Sequence, residues 1–136
     1  HPGLIKNYKN KVDFEYLGPI YDKIDRKYQQ SSVYVLPSLG DPAPRTVLEA
    51  MHCGLPVIIS ERTGTADFIE DGKEGFVVPI RDSKSISDKL QYFHDNPSET
   101  KRMGKNAVAT VSKYTWENFS DEVSRNLVTK NSNQKV

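Results

Sequence analysis

Residues 36–58, LPSLGDPAPRTVLEAMHCGLPVI, leave this chain little freedom in what it can fold into. A buried strand ends at Pro37, a polar turn runs over 38–43, a short helix covers 44–53, and a second buried strand opens at Pro56. Strand, loop, helix and strand in so few residues make one compact βαβ unit, which calls for a parallel sheet covered by helices. Pro44 near the first helical position sacrifices no hydrogen bond there, and Gly54 just past the end suits the left-handed residue that closes a helix. Two carboxylates frame the helix, Asp41 before its start and Glu49 one turn inside.

The rest of the chain extends that unit. KVDFEYL, residues 11–17, alternates Val12, Phe14 and Tyr16 against Asp13 and Glu15, the period of a strand with one polar face, and stops at Gly18 and Pro19. Ile20, Ile24 and Tyr28 recur every four positions and predict an amphipathic helix over 20–30, ended by Ser31 and Ser32. VYVL (33–36) and PVIIS (56–60) are unbroken apolar runs, as in strands buried on both faces. A helical turn is expected around 66–70, tight turns at Asp71 with Gly72 and near Gly75, and a last strand at 76–78. Beyond Pro79 the period is helical. One helix is capped by Ser83 or Ser85 and stopped by Asn96 and Pro97; a second starts at Ser98 and Glu99, with Met103, Ala107, Val108 and Val111 on one face. Thr115 caps a third, carrying Trp116, Phe119, Val123 and Leu127. The fold class is α/β: a parallel sheet of about four strands flanked by helices and ending in three helices. Residues 1–128 read as one domain, and 129–136, without apolar period, as a disordered tail.

With 136 residues and 36% hydrophobic content the chain supports one core. Its 19 basic and 18 acidic residues nearly cancel, so no charge excess points to nucleic acid or an anionic membrane as partner, and any anion site must be local. The single cysteine excludes an internal disulfide and fits a reducing compartment. Cys53 reads as a small core residue rather than a nucleophile, and His52 and His94 as surface or boundary residues without metal-ligand spacing. No apolar run reaches the length of a membrane span, so a soluble, cytoplasmic chain is expected, associated with a membrane peripherally at most. The start at His1, Pro2 and Gly3, without methionine, leads to the expectation of a piece cut from something longer.

Ligands of a parallel α/β sheet bind at the carboxyl ends of its strands, and residues 38–46 occupy that place. The first amides of the following helix lack internal partners and sit at its positive end, which suits a phosphate. Asp41 there would repel an anion, so it reads as an acceptor for neutral hydroxyls carried by the phosphate, or as a cap on the helix worth about 0.5–2 kcal/mol. Glu49 lies in an otherwise packed-looking helix, where a carboxylate needs donors; two ribose hydroxyls would supply them, or Arg45 one turn earlier would. Arg45 is equally a solvated charge or a phosphate contact. No G-x-G-x-x-G occurs, and Gly64 with Thr65 lacks the lysine of a P-loop.

FEYLG (14–18), VYVLPS (33–38), D-x7-E with LEAMHCGLPVI (41–58), TGTADFIEDGKEGFVVP (63–79) and YTWENF (114–119), in that order, resemble the C-terminal half of group 1 glycosyltransferases, family 4 retaining enzymes of the GT-B fold. The resemblance implies two Rossmann-like domains facing across a cleft, this chain being the C-terminal nucleotide-sugar-binding one, truncated on its N-terminal side. Glu49 would hold the ribose, and Asp41, where the family usually has glutamate, would touch the donor sugar as the catalytic carboxylate. The amides of Arg45 and Thr46, with Pro44 and Ser38, would line the diphosphate site, and Leu17, Gly18, Pro19 and Ile20 the nucleobase. Such enzymes transfer a sugar from a nucleotide sugar to a glycan, lipid or other acceptor, as in polysaccharide biosynthesis, without metal or other cofactor. They act in the cytoplasm or at the inner face of its membrane. The family's diphosphate-binding arginine and lysine, and its acceptor-binding N-terminal domain, precede this sequence, so the piece alone is expected to be inactive. The alternative is a non-catalytic nucleotide or nucleotide-sugar binding module. In strand order 3-2-1-4-5-6 the strand at 11–17 would lose its neighbours, leaving it to pair with 33–36 or a second copy to cover the edge as a homodimer.

Overall fold

The computed structural model describes residues 14–20 and 22–114. Among the described residues three parallel strands form the sheet: β1 Tyr34–Leu36, β2 Val57–Ser60 and β3 Gly75–Val78, in the order β1-β2-β3. Tyr34 pairs with Val57 and Val57 with Gly75, and the registers run on without a slip. Among the described residues four helices accompany them: α1 Ile24–Gln29, α2 Arg45–His52, α3 Ser83–Asp95 and α4 Pro97–Val111, with a 3₁₀ turn at Ala66–Phe68.

Strand periodicity of two divides the core. Val57 and Ile59 of β2, with Tyr34, Leu36 and Val77, face Val47 and Met51 of α2 and Ala107 and Val111 of α4. Ile58, Phe76 and Val78 face the other way, onto Phe93 of α3 and Met103 of α4. A smaller cluster of Tyr28, Ala50 and Leu55 fastens α1 onto the back of α2. Every residue of β2 is buried, as its unbroken apolar run requires. β1 is half-buried throughout, not buried on both faces, because β2 is its only neighbour among the described residues.

α2 ends as its sequence predicts. Gly54 holds φ 84°, its amide donates to Met51 (3.0 Å), and the Leu55 amide donates to Ala50 (3.1 Å), with Leu55 packed near Ala50. This is the paired bonding of a Schellman closure. The other helix boundaries shift. The helix expected over 20–30 starts only at Ile24, because Lys23 occupies the left-handed region (φ 59°) and interrupts the helical path. α3 is capped by Asp82, not Ser83 or Ser85; the Asp82 carboxylate accepts from the Ser85 amide (2.9 Å) and hydroxyl (2.6 Å). The helix expected from Ser98 begins at Pro97, which supplies its first turn, and Gly104 rather than Val108 joins its buried face.

The fourth strand is not borne out where it can be seen. Residues 14–17 have no strand pairing, and Phe14, Tyr16 and Leu17 are exposed, so they do not pair with 33–36; residues 11–13 lie outside the described residues. One-faced alternation makes a strand only beside a partner, and at 14–17 none is present. The third terminal helix, at Thr115 and beyond, and the tail at 129–136 also lie outside the described residues. Among the described residues no helix is long and apolar enough to cross a membrane.

One buried carboxylate holds the last turn of the sheet to α4. Glu74, 2% exposed, accepts from the Thr110 hydroxyl (2.7 Å) and the Glu70 amide (3.0 Å), with the Lys73 ammonium 3.9 Å away. Its own carbonyl accepts from the Val57 amide, so the same residue anchors β2. Glu74→Ala removes a buried carboxylate that two donors share and is expected to destabilise the fold by about 1–3 kcal/mol, read as a lower denaturation midpoint in urea.

Candidate functional site

The loops that follow β1 and β2 meet at the carboxyl end of the sheet. Asp41 and Thr63 form an isolated parallel bridge, with the Asp41 amide donating to Arg62 (3.2 Å) and the Gly64 amide to Asp41 (2.8 Å). Below it the Ser60 hydroxyl donates to the Ser38 carbonyl and lies 3.0 Å from the Thr63 hydroxyl oxygen. The loops approach so closely that a Cβ at Gly64 would stand 1.8 Å from the Pro42 carbonyl oxygen. Only glycine fits there without moving backbone.

This clasp sets the entry of α2. Pro44, buried, has extended backbone (φ −71°, ψ 102°) and ends the loop, and Arg45 opens the helix with its side chain exposed. No side chain caps α2, no acid occupies its first turn, and among the described residues no hydrogen bond takes up the Arg45 and Thr46 amides. Two unpaired amides at the positive end of a helix dipole therefore face outward. The capping role for Asp41 is not borne out: the helix starts four residues later, and Asp41 Oδ1 instead accepts from the Ala43 amide (3.2 Å), shaping the loop. Ser38 acts similarly, its hydroxyl oxygen accepting from Gly40 (3.3 Å).

Glu49 is exposed, contrary to its reading as a carboxylate in a packed helix. Val47, Ala50 and Met51, spaced by three and four, are the buried stripe, and Glu49 falls beside it. The pairing of Glu49 with Arg45 is absent from the ion pairs of the described residues. Its partner is a residue the sequence reading passed over: the Tyr28 hydroxyl donates to Glu49 Oε2 across a long 3.5 Å. Tyr34 does the same for the other end of the turn, donating to Thr46 Oγ1 at 2.7 Å. The two rings meet edge to face, centroids 5.9 Å apart. Two tyrosines from α1 and β1 thus steady two polar side chains of α2. The signal for them was present, since Tyr28 was already on the inner face of its predicted helix, but a phenol buried there also needs a hydrogen-bond partner.

An open concavity of about 420 Å³ borders Tyr28, Arg45, Leu48, Glu49, His52 and Cys53. Burial, then the neighbouring Asp25 and Glu49 carboxylates, push the Cys53 thiol up, away from reactivity. His52 and His94 are exposed, as expected. Leu17, Gly18, Pro19 and Ile20 are exposed or half-exposed, and among the described residues no hydrogen bond ties them to the 37–44 loop. The structure gathers Ser38, Asp41, Pro44, Arg45, Thr46 and Glu49 around one helix start and does not join the 17–20 segment to them.

These features define a Rossmann-like α/β protein whose candidate site lies at the carboxyl ends of parallel strands. The model of the glycosyl transferases group 1 family matches residues 3–110, and the chain belongs to that family. It is 32% identical to a sucrose synthase of Acidithiobacillus caldus over 96 residues, 67% of this chain and 12% of that protein. It is also 32% identical to sucrose synthase 5 of Oryza sativa subsp. japonica over 127 residues, 89% of this chain and 14% of that one. The chain therefore spans only a small part of these relatives. Among solved structures it resembles a sucrose-phosphate synthase of Thermosynechococcus elongatus, with TM-score 0.80 and 26% identity over 95% of this chain and 34% of that one. Anabaena HepE in complex with UDP-glucose, at 21% identity, shares the fold with TM-score 0.80, over 94% of this chain and 35% of that one.

Two outcomes test this geometry. Gly64→Ala forces the clasped loops apart and is expected to cost about 1–3 kcal/mol in urea denaturation. Burial, with Tyr34 and Glu49 adding to it, raises the Tyr28 phenol to about 12. The unfolded chain ionises this phenol from about pH 10, so its share of stability is complete below pH 10 and is lost as pH rises towards 12. Alkaline unfolding followed by circular dichroism should show that loss, and Tyr28→Phe should flatten it.

Proposed function

We propose that this chain is the donor-binding part of a glycosyltransferase that moves a sugar from a nucleotide sugar to a glycan, lipid or other acceptor with retention. The observation that carries this reading is the uncapped start of α2, with the Arg45 and Thr46 amides open and the exposed Glu49 carboxylate one turn along the same helix. An anionic diphosphate suits the amides, and a vicinal diol suits the carboxylate. Family membership supports it, as does the shared fold with a protein whose structure holds UDP-glucose.

In this reading the diphosphate of the donor lies over the α2 amides, between Ser38 and Thr46, and the ribose hydroxyls donate to Glu49. As the glycosidic bond breaks, charge gathers on the leaving diphosphate, and amides already fixed by the clasp stabilise it without reorganising. No metal is required for that step. Asp41 presents its carboxylate to the donor sugar from the same loop, and 17–20 line the nucleobase. The acceptor comes from an N-terminal domain of the same protein, and this chain alone turns nothing over. Action in the cytoplasm or at the inner face of a membrane belongs to the same proposal.

A second reading, a nucleotide-binding module without catalysis, draws on Asp41 Oδ1 being occupied by the Ala43 amide. Calorimetry with UDP and UDP-glucose separates the two. Glu49→Ala should weaken both ligands about tenfold or more, the loss of a bidentate charge-assisted contact. Asp41→Ala should weaken UDP-glucose and leave UDP unchanged. Equal affinity of the Asp41 variant for UDP-glucose favours the second reading, and unchanged binding by the Glu49 variant refutes both.

A further inference from the structure

A second concavity, of about 290 Å³, opens beside the clasp at the same end of the sheet, away from Glu49. Leu39 of the β1 loop and Ile80 and Ile86 of the β3 side give it apolar walls, and Arg81, Asp82 and Ser83 give it a polar edge. Arg81 holds φ 60°, a left-handed backbone that costs a residue with a side chain stability. Its guanidinium is exposed and takes part in no ion pair or hydrogen bond among the described residues. A long cation kept in a conformation that glycine would adopt at no cost, and given no partner among the described residues, stands free at the edge of the concavity to meet a ligand.

The geometry points to this concavity as a subsite for a neutral sugar ring of the acceptor, its hydroxyls meeting Arg81 and its apolar face lying on Leu39 and Ile80. The charge balance selects that chemistry. Asp82 stands beside Arg81, and its carboxyl is held below the usual carboxylate range by bonds from Ser85, so positive and negative cancel at the rim. An anion gains little from such a pair. A hydroxyl-rich ring uses both members, accepting from the guanidinium and donating to carboxylate oxygen, while apolar walls cover its C–H face. The ring would reach the clasp from the side opposite Glu49, because Leu39 and Ser60 belong both to this concavity and to the loops that position Asp41. The assignment to the acceptor rests on the donor reading above; binding of a ring here does not.

Methyl-resolved NMR of the 136-residue chain, titrated separately with methyl α-glucoside, glucose 1-phosphate and UDP, tests it. The methyl glycoside is expected to shift the Leu39, Ile80 and Ile86 methyls saturably. Arg81→Gly should weaken that response about tenfold, the share of one charge-assisted hydrogen bond, while raising the melting temperature as the strain is relieved. Arg81→Lys, which keeps a cation but not the forked donors, should fall between them. Absence of shifts with the methyl glycoside, a response to glucose 1-phosphate alone, or full binding by Arg81→Gly would overturn the subsite. A failure of UDP to bind beside Glu49 sinks the donor reading and leaves the ring site standing.

Discussion

Everything at the carboxyl end of this sheet depends on main-chain bonding between two loops. The Asp41 amide donating to the Arg62 carbonyl and the Gly64 amide donating to the Asp41 carbonyl hold the loops after β1 and β2 together, and the Ser60 hydroxyl pins the first loop from below. A helix start with open amides is useful only if it stands still, and among the described residues no side chain caps α2 to fix it. The clasp takes over that task from outside the helix. Behind α2, Met51 and Val47 sit fully buried against the sheet, so the helix is fixed from both sides.

A division of labour follows from where each polar group finds its partners. Glu74 is buried and bonded within the fold, and its place is structural. Glu49 is exposed and, among the described residues, accepts one long bond, from Tyr28. Asp41 stands between the two, one oxygen engaged by Ala43 and its backbone committed to the clasp. Removing the Asp41 side chain therefore threatens the loop's shape less than the residue's central position suggests, because the bridge to Thr63 is made by peptide groups.

Much of this was legible in the sequence where a local rule and a tertiary need coincide. The βαβ unit of 36–58, the closure of α2 at Gly54 and the buried strands β2 and β3 follow from periodicity and from what proline and glycine permit. Glu49 was placed on the right helix but at the wrong depth, since its apolar neighbours in sequence are not its neighbours around a helix. The start of α1 was missed because it depends on the backbone of Lys23, a residue with no turn preference of its own. Residues 14–17 read as a strand by alternation, yet alternation describes which faces a strand would have and does not supply a neighbour for it. The helical period marks Tyr28 as inward-facing but does not show its bond to Glu49, which lies across the fold, and the left-handed backbone of Arg81 has no local sequence signal.

The clasp also bears on how a protein of this kind can diversify. Its bridge between the loops runs through peptide groups, and apart from glycine at 64 and the hydroxyl of Ser60 it asks little of the side chains mounted on it. Positions such as 39, 43 and 62 can therefore drift, altering what the rim of the site presents, while the α2 amides keep their place. Innovation in ligand choice and conservation of architecture are separated here within a few residues of one another, so a lineage carrying this scaffold can explore new ligands with little risk to its folding.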